Sequence, residues 1–229
     1  MKILAIETAT EACSAALLID GEITERFKVA PREHGNLILP MVDELLVDSG
    51  VQLAQLDALA FGRGPGSFTG VRMATGVVQG LAFAADLPVA AISTLHALAN
   101  QVELNSQIEH VFVALDARMG EIYCCEYEAK NGVFEKTSEE QVIAPEKLNR
   151  LSAKNTVGIG HGWRTYLDII QTSIGCPTLA VYPDALPRAV DVAQLAIPVV
   201  EKGETVAAEH AMPVYLRDNV AKKKAQQLT

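Results

Sequence analysis

The stretch that decides the fold is residues 2–29, KILAIETATEACSAALLIDGEITERFKV. Its apolar run at 2–6 predicts a buried strand that ends at Glu7, and the polar residues 8–11 predict a short turn. Residues 12–19 and 22–29 are expected to form two further strands, because Asp20-Gly21 between them is a strong hairpin signal. The start of the chain is therefore predicted to be a three-stranded meander with an acid at the end of its first strand.

The same plan occurs again at residues 111–134. An apolar strand at 111–115 ends at Asp116, a polar turn leads into a strand at 121–128, and Asn131-Gly132 repeats the hairpin signal. This repetition favours a duplicated, two-lobed α/β architecture. The alternative is coincidence, since strand, acid, turn and strand often follow one another.

The polar segment 100–108 marks the predicted boundary between the lobes. We expect an N-terminal lobe over residues 1–105, with helices at 33–48 and 69–85, and a smaller C-terminal lobe over residues 106–229. A helix is expected at 189–200. The closing segment 213–229 is a candidate to return to the first lobe.

A glycine-dense turn, GRGPGSFTGVR at residues 62–72, lies between a short apolar strand and the helix at 69–85. Glycines let a backbone approach a ligand or another backbone closely, and Ser67 or Thr69 could cap the helix. No lysine follows the last glycine, so the turn is not a Walker A loop, and the Rossmann spacing also fails. Two interpretations stay open, a nucleotide-binding turn and a tight strand-to-helix turn.

Composition excludes several classes of protein. The 229 residues are 49% hydrophobic but 5% aromatic, which suits a sheet covered by helices. A formal charge of −9 argues against independent binding to nucleic acid, and the basic run 222–224 is expected to be a solvated tail. The most apolar long window, 71–92, contains Arg72 and Asp86 and is not expected to span a membrane. With no signal-peptide pattern at its start, the protein is predicted to be cytoplasmic.

The four cysteines, at positions 13, 124, 125 and 176, include no C-x-x-C pair. Cys124 and Cys125 are neighbours on a predicted strand and should point to opposite faces. A disulfide framework and a zinc site are therefore not expected, and the thiols are predicted to pack as small apolar side chains.

Five motifs carry a family resemblance. In chain order they are AIETAT at 5–10, PREH at 31–34, the glycine turn, DARMGEIY at 116–123 and PVYLR at 213–217. Together they resemble the TsaB (YeaZ) family of bacteria, from residue 1 to about residue 220. The resemblance implies the actin-like/sugar-kinase fold, with two lobes that each carry a meander and helices.

The resemblance also implies a role in making threonylcarbamoyladenosine at position 37 of tRNAs that read ANN codons. In that pathway TsaD transfers the threonylcarbamoyl group to the tRNA, and the ATPase TsaE accompanies it. The family member is an inactive paralogue of TsaD that serves as its scaffold. The implied partners are thus TsaD as a heterodimer, TsaE, a second copy when the chain is alone, and tRNA only through the complex.

The residues favour a scaffold over a catalyst. TsaD holds its metal with a His-x-x-x-His pair, a spacing that places both histidines on one helix face. The matching positions here are Thr94 and Leu98, and His96 between them is expected to be structural. We therefore predict no metal, no cofactor and no catalytic residue of the chain's own.

A weak nucleotide site is the next candidate. ATPases of this superfamily use an Asp and small hydroxyls in the first hairpin turn to hold Mg-phosphate, whereas this chain has Glu7. Hydrolysis of ATP is therefore not expected, and weak binding shared with a partner stays possible. The residues assigned to it are Thr8, Thr10, Gly64, Gly66, Ser67, Asp116 and Arg118. The alternative for the last two, and for Glu121 beside them, is a polar turn with local ion pairs.

The predicted partner surface lies on the first two helices. Gly76 and Gly80 are four residues apart on one helix face, beside Met73 and Val77, and small residues at that spacing admit a second helix. The helix at 33–48 adds an apolar row, Leu37, Met41 and Leu45. We expect both rows to meet their counterparts on TsaD or on a second copy. Alternatively, both faces only cover the sheet of their own chain.

Two enzymatic functions are the alternatives to a scaffold. The first is a protease or hydrolase that acts on TsaD or on other proteins, with Ser67 as the nucleophile, although no histidine lies near it in sequence. The second is a small-molecule kinase of the same superfamily, which Glu7 disfavours.

Overall fold

A computed structural model describes residues 1–105 and 107–217. Its strands are β1 (Lys2–Glu7), β2 (Ala12–Ile19), β3 (Glu22–Val29), β4 (Ala58–Gly62), β5 (Val89–Ile92), β6 (His110–Arg118), β7 (Glu121–Lys130), β8 (Val133–Lys136), β9 (Gln141–Ile143), β10 (Thr156–Ile159) and β11 (Thr178–Tyr182). Its helices are α1 (His34–Ser49), α2 (Phe68–Ala85), α3 (Thr94–Asn100), α4 (Gly162–Ile174) and α5 (Ala189–Glu201). The basic run 222–224 and residues 218–229 of the closing segment lie outside the described residues.

The first sheet has the strand order β3-β2-β1-β4-β5. Strands β1, β2 and β3 form the predicted antiparallel meander, and β4 and β5 join it in parallel. Asp20 and Gly21 both have positive φ in the turn between β2 and β3, as a two-residue hairpin turn requires. One face of this sheet is covered by α1 and α2, which share a core with Leu4, Ile6 and Leu17.

The second sheet repeats that order. Strands β8, β7 and β6 form a meander, β10 and β11 add to it in parallel, and β9 pairs separately with β7. Each meander is thus followed by a parallel strand, a helix and another parallel strand, β4-α2-β5 in the first sheet and β10-α4-β11 in the second. The predicted duplicated, two-lobed α/β fold is confirmed.

Two helices cross between the sheets. Leu95, Leu98 and Ala99 of α3 lie in the core of the second sheet, although α3 follows the last strand of the first. Conversely, Val192 and Ala196 of α5 pack on Ile3, Ala5 and Ala60 of the first sheet, on the face opposite α1 and α2. The boundary at residues 105 and 106 stays a prediction, because each segment contributes a helix to the other's sheet.

The closing segment runs along the first lobe within its described part. The amide of Val214 donates to the carbonyl of Arg63, at 2.8 Å, and the side chain of Gln79 donates to the carbonyl of Ala211, at 3.0 Å. Residues 211–217 form no helix or strand in the structure. None of the described helices is both long enough and apolar enough to cross a membrane.

Candidate functional site

The glycine turn is closed by the chain's own backbone. The amide of Ser67 donates to the carbonyl of Ala9, at 2.7 Å, and the hydroxyl of Thr8 donates to the carbonyl of Gly70, at 2.7 Å. A Cβ on Gly66 would lie 2.5 Å from the Ala9 carbonyl oxygen, and one on Gly70 would overlap the Thr8 carbonyl. The glycines therefore let the start of α2 pack on the turn between β1 and β2.

Ser67 has a structural role at the start of α2. Its hydroxyl caps the helix by accepting from the amide of Gly70, at 3.5 Å.

Three histidines bind backbone groups. His34 binds the carbonyls of Thr10 and Ala12, His96 binds the carbonyl of Phe134, and His161 binds the amide of Asp116.

Glu7 is sealed between three elements of the first lobe. Its side chain is fully buried, its Oε1 accepts from the amide of Ala9 at 2.6 Å, and its Oε2 accepts from the hydroxyl of Thr94 at 3.1 Å. A Cβ on Gly62 would overlap this carboxyl group. Burial raises the pKa of Glu7 to about 7, although these hydrogen bonds favour the charged form. Both carboxylate oxygens of Glu7 are thus bound to the chain's own groups.

The second turn, after β6, is more open. The carboxylate of Asp116 accepts from the amide of Arg118 at 2.7 Å, and the amide of Asp116 donates to Nδ1 of His161 at 2.9 Å. Arg217 of the closing segment pairs with Glu121 and donates to the carbonyl of Arg118. The ion pair of Glu121 thus joins the turn to the closing segment and does not form within the turn, and the choice between a ligand site and a polar turn stays a prediction.

Charges from both turns act on His161. Burial lowers the pKa of His161, and the negative charges of Glu11 and Asp116, one from each turn, partly oppose that shift. Of the candidate nucleotide residues, Thr8 and Thr10 lie in the turn between β1 and β2, where the Thr10 hydroxyl accepts from the amide of Ala12. Gly64, Gly66 and Ser67 lie in the glycine turn that packs on it. Asp116 and Arg118 belong to the second turn. Nucleotide binding at these residues stays a prediction.

The positions that match the metal ligands of TsaD have other roles here. Thr94 donates to Glu7, and Leu98 is fully buried in the second core. His96 stacks on Tyr127, with ring centroids 5.0 Å apart, and binds the carbonyl of Phe134 at 2.8 Å. Within residues 1–105 and 107–217, no group of three or more His, Cys, Asp or Glu side chains is arranged to hold a metal ion.

An open groove of about 740 Å³ runs along α2. Gly76 and Gly80 form part of its floor; both are exposed, and a Cβ on either would meet no atom within 4 Å. The groove is lined by Leu39, Phe68, Thr69, Arg72, Met73, Gly76, Val77, Gly80 and Leu81. Four predicted interface residues, Met73, Gly76, Val77 and Gly80, are thus brought together at one surface.

The α1 part of the predicted interface needs correction. Met41 and Leu45 are 8% and 1% exposed and pack in the core of the first sheet, so they are not available to a partner. They occupy the face of α1 that covers the sheet, and Leu37 is half-buried beside them. The α1 residue that lines the groove is Leu39, which is 52% exposed.

Sequence reasoning also missed the aromatic side chains at this surface. Phe68 is half exposed, and Phe83 is 82% exposed on the same helix. The signal was available, because Phe68, Arg72, Gly76, Gly80 and Phe83 follow one another at three or four residues along α2 and share its outer face.

Comparisons with known proteins agree along nearly the whole chain. Residues 26–225 match the model of the family described as "TsaD: tRNA N6-adenosine threonylcarbamoyltransferase". The chain is 45% identical to the Escherichia coli (strain K12) "tRNA threonylcarbamoyladenosine biosynthesis protein TsaB", over 98% of each chain. It is 43% identical to the protein of the same name from Haemophilus influenzae, over 98% of this chain and 97% of that protein.

A solved structure gives the same answer for the fold. "YeaZ from Pseudomonas aeruginosa" is 44% identical to this chain and superposes with a TM-score of 0.86, over 94% of this chain and 99% of that one.

Proposed function

The chain belongs to the TsaB family, which falls within the broader TsaD family, and on that premise we propose that it is a non-catalytic subunit in the biosynthesis of threonylcarbamoyladenosine in tRNA. In this role it binds the transferase TsaD through the groove on α2 and supports it together with the ATPase TsaE. It acts in the cytoplasm, self-associates through the same surface when alone, and reaches tRNA only through the complex.

One observation carries the proposal, the two exposed glycines in the middle of α2. Glycine inside a helix is about 1 kcal/mol less favourable than alanine, and a Cβ on Gly76 or Gly80 would meet no atom of this chain. The monomer therefore has no steric need for either glycine. A second helix that lies close against α2 would have that need, because it is the absence of the Cβ that lets helix backbones approach.

The surroundings of the glycines support a protein partner. Leu39, Phe68 and Phe83 each leave half or more of their surface in water. Burying such groups against a partner is favourable by about 25 cal/mol per Å² of apolar surface, and large aromatic side chains are frequent anchors of interfaces.

The first turn supports a role without chemistry of its own. Glu7 is sealed against Gly62 and Thr94, and the backbone of Ala9 closes the glycine turn. A ligand at this point would have to displace several short hydrogen bonds. We therefore expect no ATP turnover by the isolated chain, and any nucleotide to be held jointly with a partner.

The first experiment is reconstitution of the modification on tRNA from purified components. The mixture contains TsaD, TsaE, the enzyme that makes threonylcarbamoyl-AMP, ATP, threonine and bicarbonate, with or without this chain. We expect modification to collapse without the chain. Undiminished modification would contradict the proposal and make the hydrolase alternative the one to test, through cleavage of TsaD that stops in Ser67→Ala.

The second experiment tests the surface. Gly76→Ala should stabilise the isolated chain by about 1 kcal/mol and weaken its binding to TsaD, a combination that a purely structural glycine would not give. Val77→Glu should abolish binding, since it places a charge in the apolar groove. Leu179→Glu is the matched control, an exposed apolar residue on β11 of the second lobe. Unchanged affinity in Gly76→Ala and Val77→Glu would exclude this surface.

A further inference from the structure

A single positive charge stands at one end of the groove. Arg72 is the only charged residue of α2, whose sequence is FTGVRMATGVVQGLAFAA. It lines the groove together with Phe68, Thr69 and Met73, near the start of the helix. The charge therefore lies at the edge of a surface that is otherwise mainly apolar.

Two aromatic rings hold this charge in place. The guanidinium carbon of Arg72 lies 3.8 Å from the centroid of the Phe68 ring, and its Nε donates to the hydroxyl of Tyr215 at 2.7 Å. The rings of Phe68 and Tyr215 have centroids 5.7 Å apart. A guanidinium stacked on an aromatic ring keeps its terminal N–H groups available at the edge of its plane.

Arg72 has no acid of its own to neutralise it in the described part of the chain. Within residues 1–105 and 107–217, no carboxylate oxygen lies within 4.0 Å of its guanidinium nitrogens, whereas Arg26, Arg63 and Arg217 are all paired. A partner that covered the groove would remove water from this charge, and a buried charge without a counter-charge is strongly unfavourable. Occupation of the groove thus calls for an acid from the partner.

A second copy of the chain would offer that acid at few positions on its first two helices. Helix α2 itself contains no Asp or Glu, so a second copy that placed its own α2 in the groove would bring only Asp86, the exposed residue that caps the end of the helix. On α1, Glu44 and Asp48 are already paired with Arg26, which leaves Asp43 as the other acid that these helices could offer.

We propose that Arg72, held by Phe68 and Tyr215, is the charged anchor of the groove, and that its occupant is a partner helix with an apolar face and a carboxylate at one end. This inference rests on the docking surface proposed above and adds its chemical specificity. Arginine suits the role because its guanidinium binds a carboxylate through two parallel hydrogen bonds. Because Tyr215 belongs to the closing segment, that segment positions Arg72 for docking.

Titration of TsaD binding tests the inference. Arg72→Gln should weaken binding about tenfold and Arg72→Glu further, because a partner carboxylate is left unpaired or repelled. Arg72→Lys should restore only part of the affinity, since lysine keeps the charge and loses the planar pair. Tyr215→Phe keeps the ring, removes the hydroxyl and should cost less than Arg72→Gln. Binding by the original chain should weaken with added salt, and Arg72→Gln should lose much of that dependence.

Two comparisons make the result decisive. Lys154→Glu changes the charge by the same amount as Arg72→Glu at an exposed site of the second lobe, and should leave binding unchanged. If Val77→Glu abolishes binding while Arg72→Gln alters neither affinity nor salt dependence, the inference is wrong and the docking surface stands. If neither variant changes binding, both are wrong.

The last test concerns self-association of the chain. Sedimentation of the chain alone should show that neither Asp43→Asn nor Asp86→Asn changes self-association. If either of these variants abolishes self-association as Arg72→Glu does, while TsaD binding is unaffected, the carboxylate belongs to a second copy, and the inference of a distinct partner is overturned.

Discussion

Glu7 ends β1 and Asp116 lies near the end of β6, the first strands of two sheets with the same strand order. Glu7 is fully buried beneath the glycine turn, and its carboxylate binds the hydroxyl of Thr94 from a distant helix. Asp116 is half-buried, and its carboxylate binds the amide of Arg118 two residues on. One sequence plan thus yields a sealed acid in one lobe and an acid at an open turn in the other.

The difference teaches that the local pattern sets the hairpin while tertiary packing sets the chemistry of the acid. In the first lobe, Gly66 and Gly70 let α2 pack on the turn, and Gly62 leaves room for the Glu7 carboxyl group. In the second lobe, Gly160 and Gly162 bring α4 onto Ala114, two residues before the acid. The acid of the second lobe is therefore left half-buried.

The largest effect is expected from a substitution that disrupts the packing of α2 on the first turn. Gly70→Ala should destabilise the chain by about 3 kcal/mol or more, because its Cβ would overlap the carbonyl of Thr8 and backbone cannot move aside. Gly162→Ala should cost less, about 1–2 kcal/mol, since its Cβ would lie 2.9 Å from the Ala114 carbonyl oxygen. Urea unfolding followed by circular dichroism measures both, with Gly76→Ala as the control. If Gly70→Ala lowered the free energy of unfolding by less than Gly162→Ala does, the close packing of α2 on the first turn would be contradicted.

The next effect concerns the sealed acid. The folded chain holds the Glu7 proton up to about pH 7, whereas the unfolded chain releases it near its ordinary pKa of 4.5. The folded state therefore binds more protons between these values, and the free energy of unfolding falls as the pH rises from about 4.5 to about 7, by about 3 kcal/mol from this group, and levels off above pH 7.

Glu7→Gln mimics the protonated acid and should remove this part of the pH dependence. The variant should match the original chain most closely at pH 4 and exceed it by about 3 kcal/mol at pH 8. Unfolding free energies of both proteins from pH 4 to 8 give the difference curve, which cancels the contribution of Asp191, whose pKa burial raises to about 6. A flat difference curve would mean that Glu7 is not sealed.

A third effect concerns an ion pair that joins the two lobes. Arg63 of the glycine turn pairs with Glu140 of the second lobe at 3.2 Å, and these side chains are 23% and 6% exposed. Glu140→Gln should destabilise the chain by about 2 kcal/mol, because Arg63 loses a largely buried counter-charge. Glu139→Gln, next along the chain and 92% exposed, should change stability by less than about 0.5 kcal/mol. If Glu140→Gln and Glu139→Gln changed thermal unfolding by the same amount, burial of the Arg63–Glu140 pair would not contribute to stability.

The smallest effect is expected at the open acid. Asp116→Asn should change the free energy of unfolding by less than about 0.5 kcal/mol, since the amide oxygen of Asn can still accept from Arg118. Urea unfolding at pH 7 measures it. If the free energy of unfolding fell by about 2 kcal/mol or more, Asp116 would be held as tightly as Glu7, and the contrast between the lobes would be wrong.

Much of the first lobe followed from local sequence. Strands β2 and β3 have their predicted bounds, and α1, α2 and α5 lie within two residues of theirs, because Asp-Gly turns and apolar periodicity are local signals. Strand β5 and the helices α3 and α4 were not predicted. Strand β5 has four residues and α3 seven, so neither spans enough periods for a pattern to show.

The candidate site was only partly predictable for a related reason. Helical spacing identified Gly76 and Gly80, but it could not say which apolar row of α1 faces the sheet, and Met41 and Leu45 proved to be core residues. The contact of Arg72 with Tyr215 joins residues 143 positions apart. Such a contact depends on the path of the closing segment, which carries no periodic signal.

The sequence by itself determined the duplicated meander, the α/β class and the family, since these depend on patterns within a few residues and on motifs in fixed order. Tertiary structure alone decided that α3 and α5 exchange lobes, that Glu7 is fully buried while Asp116 is half-buried, and that one face of α2 stays open. Each of those outcomes depends on which surfaces meet across the fold, and burial, not residue type, then sets the pKa of an acid and the availability of a glycine.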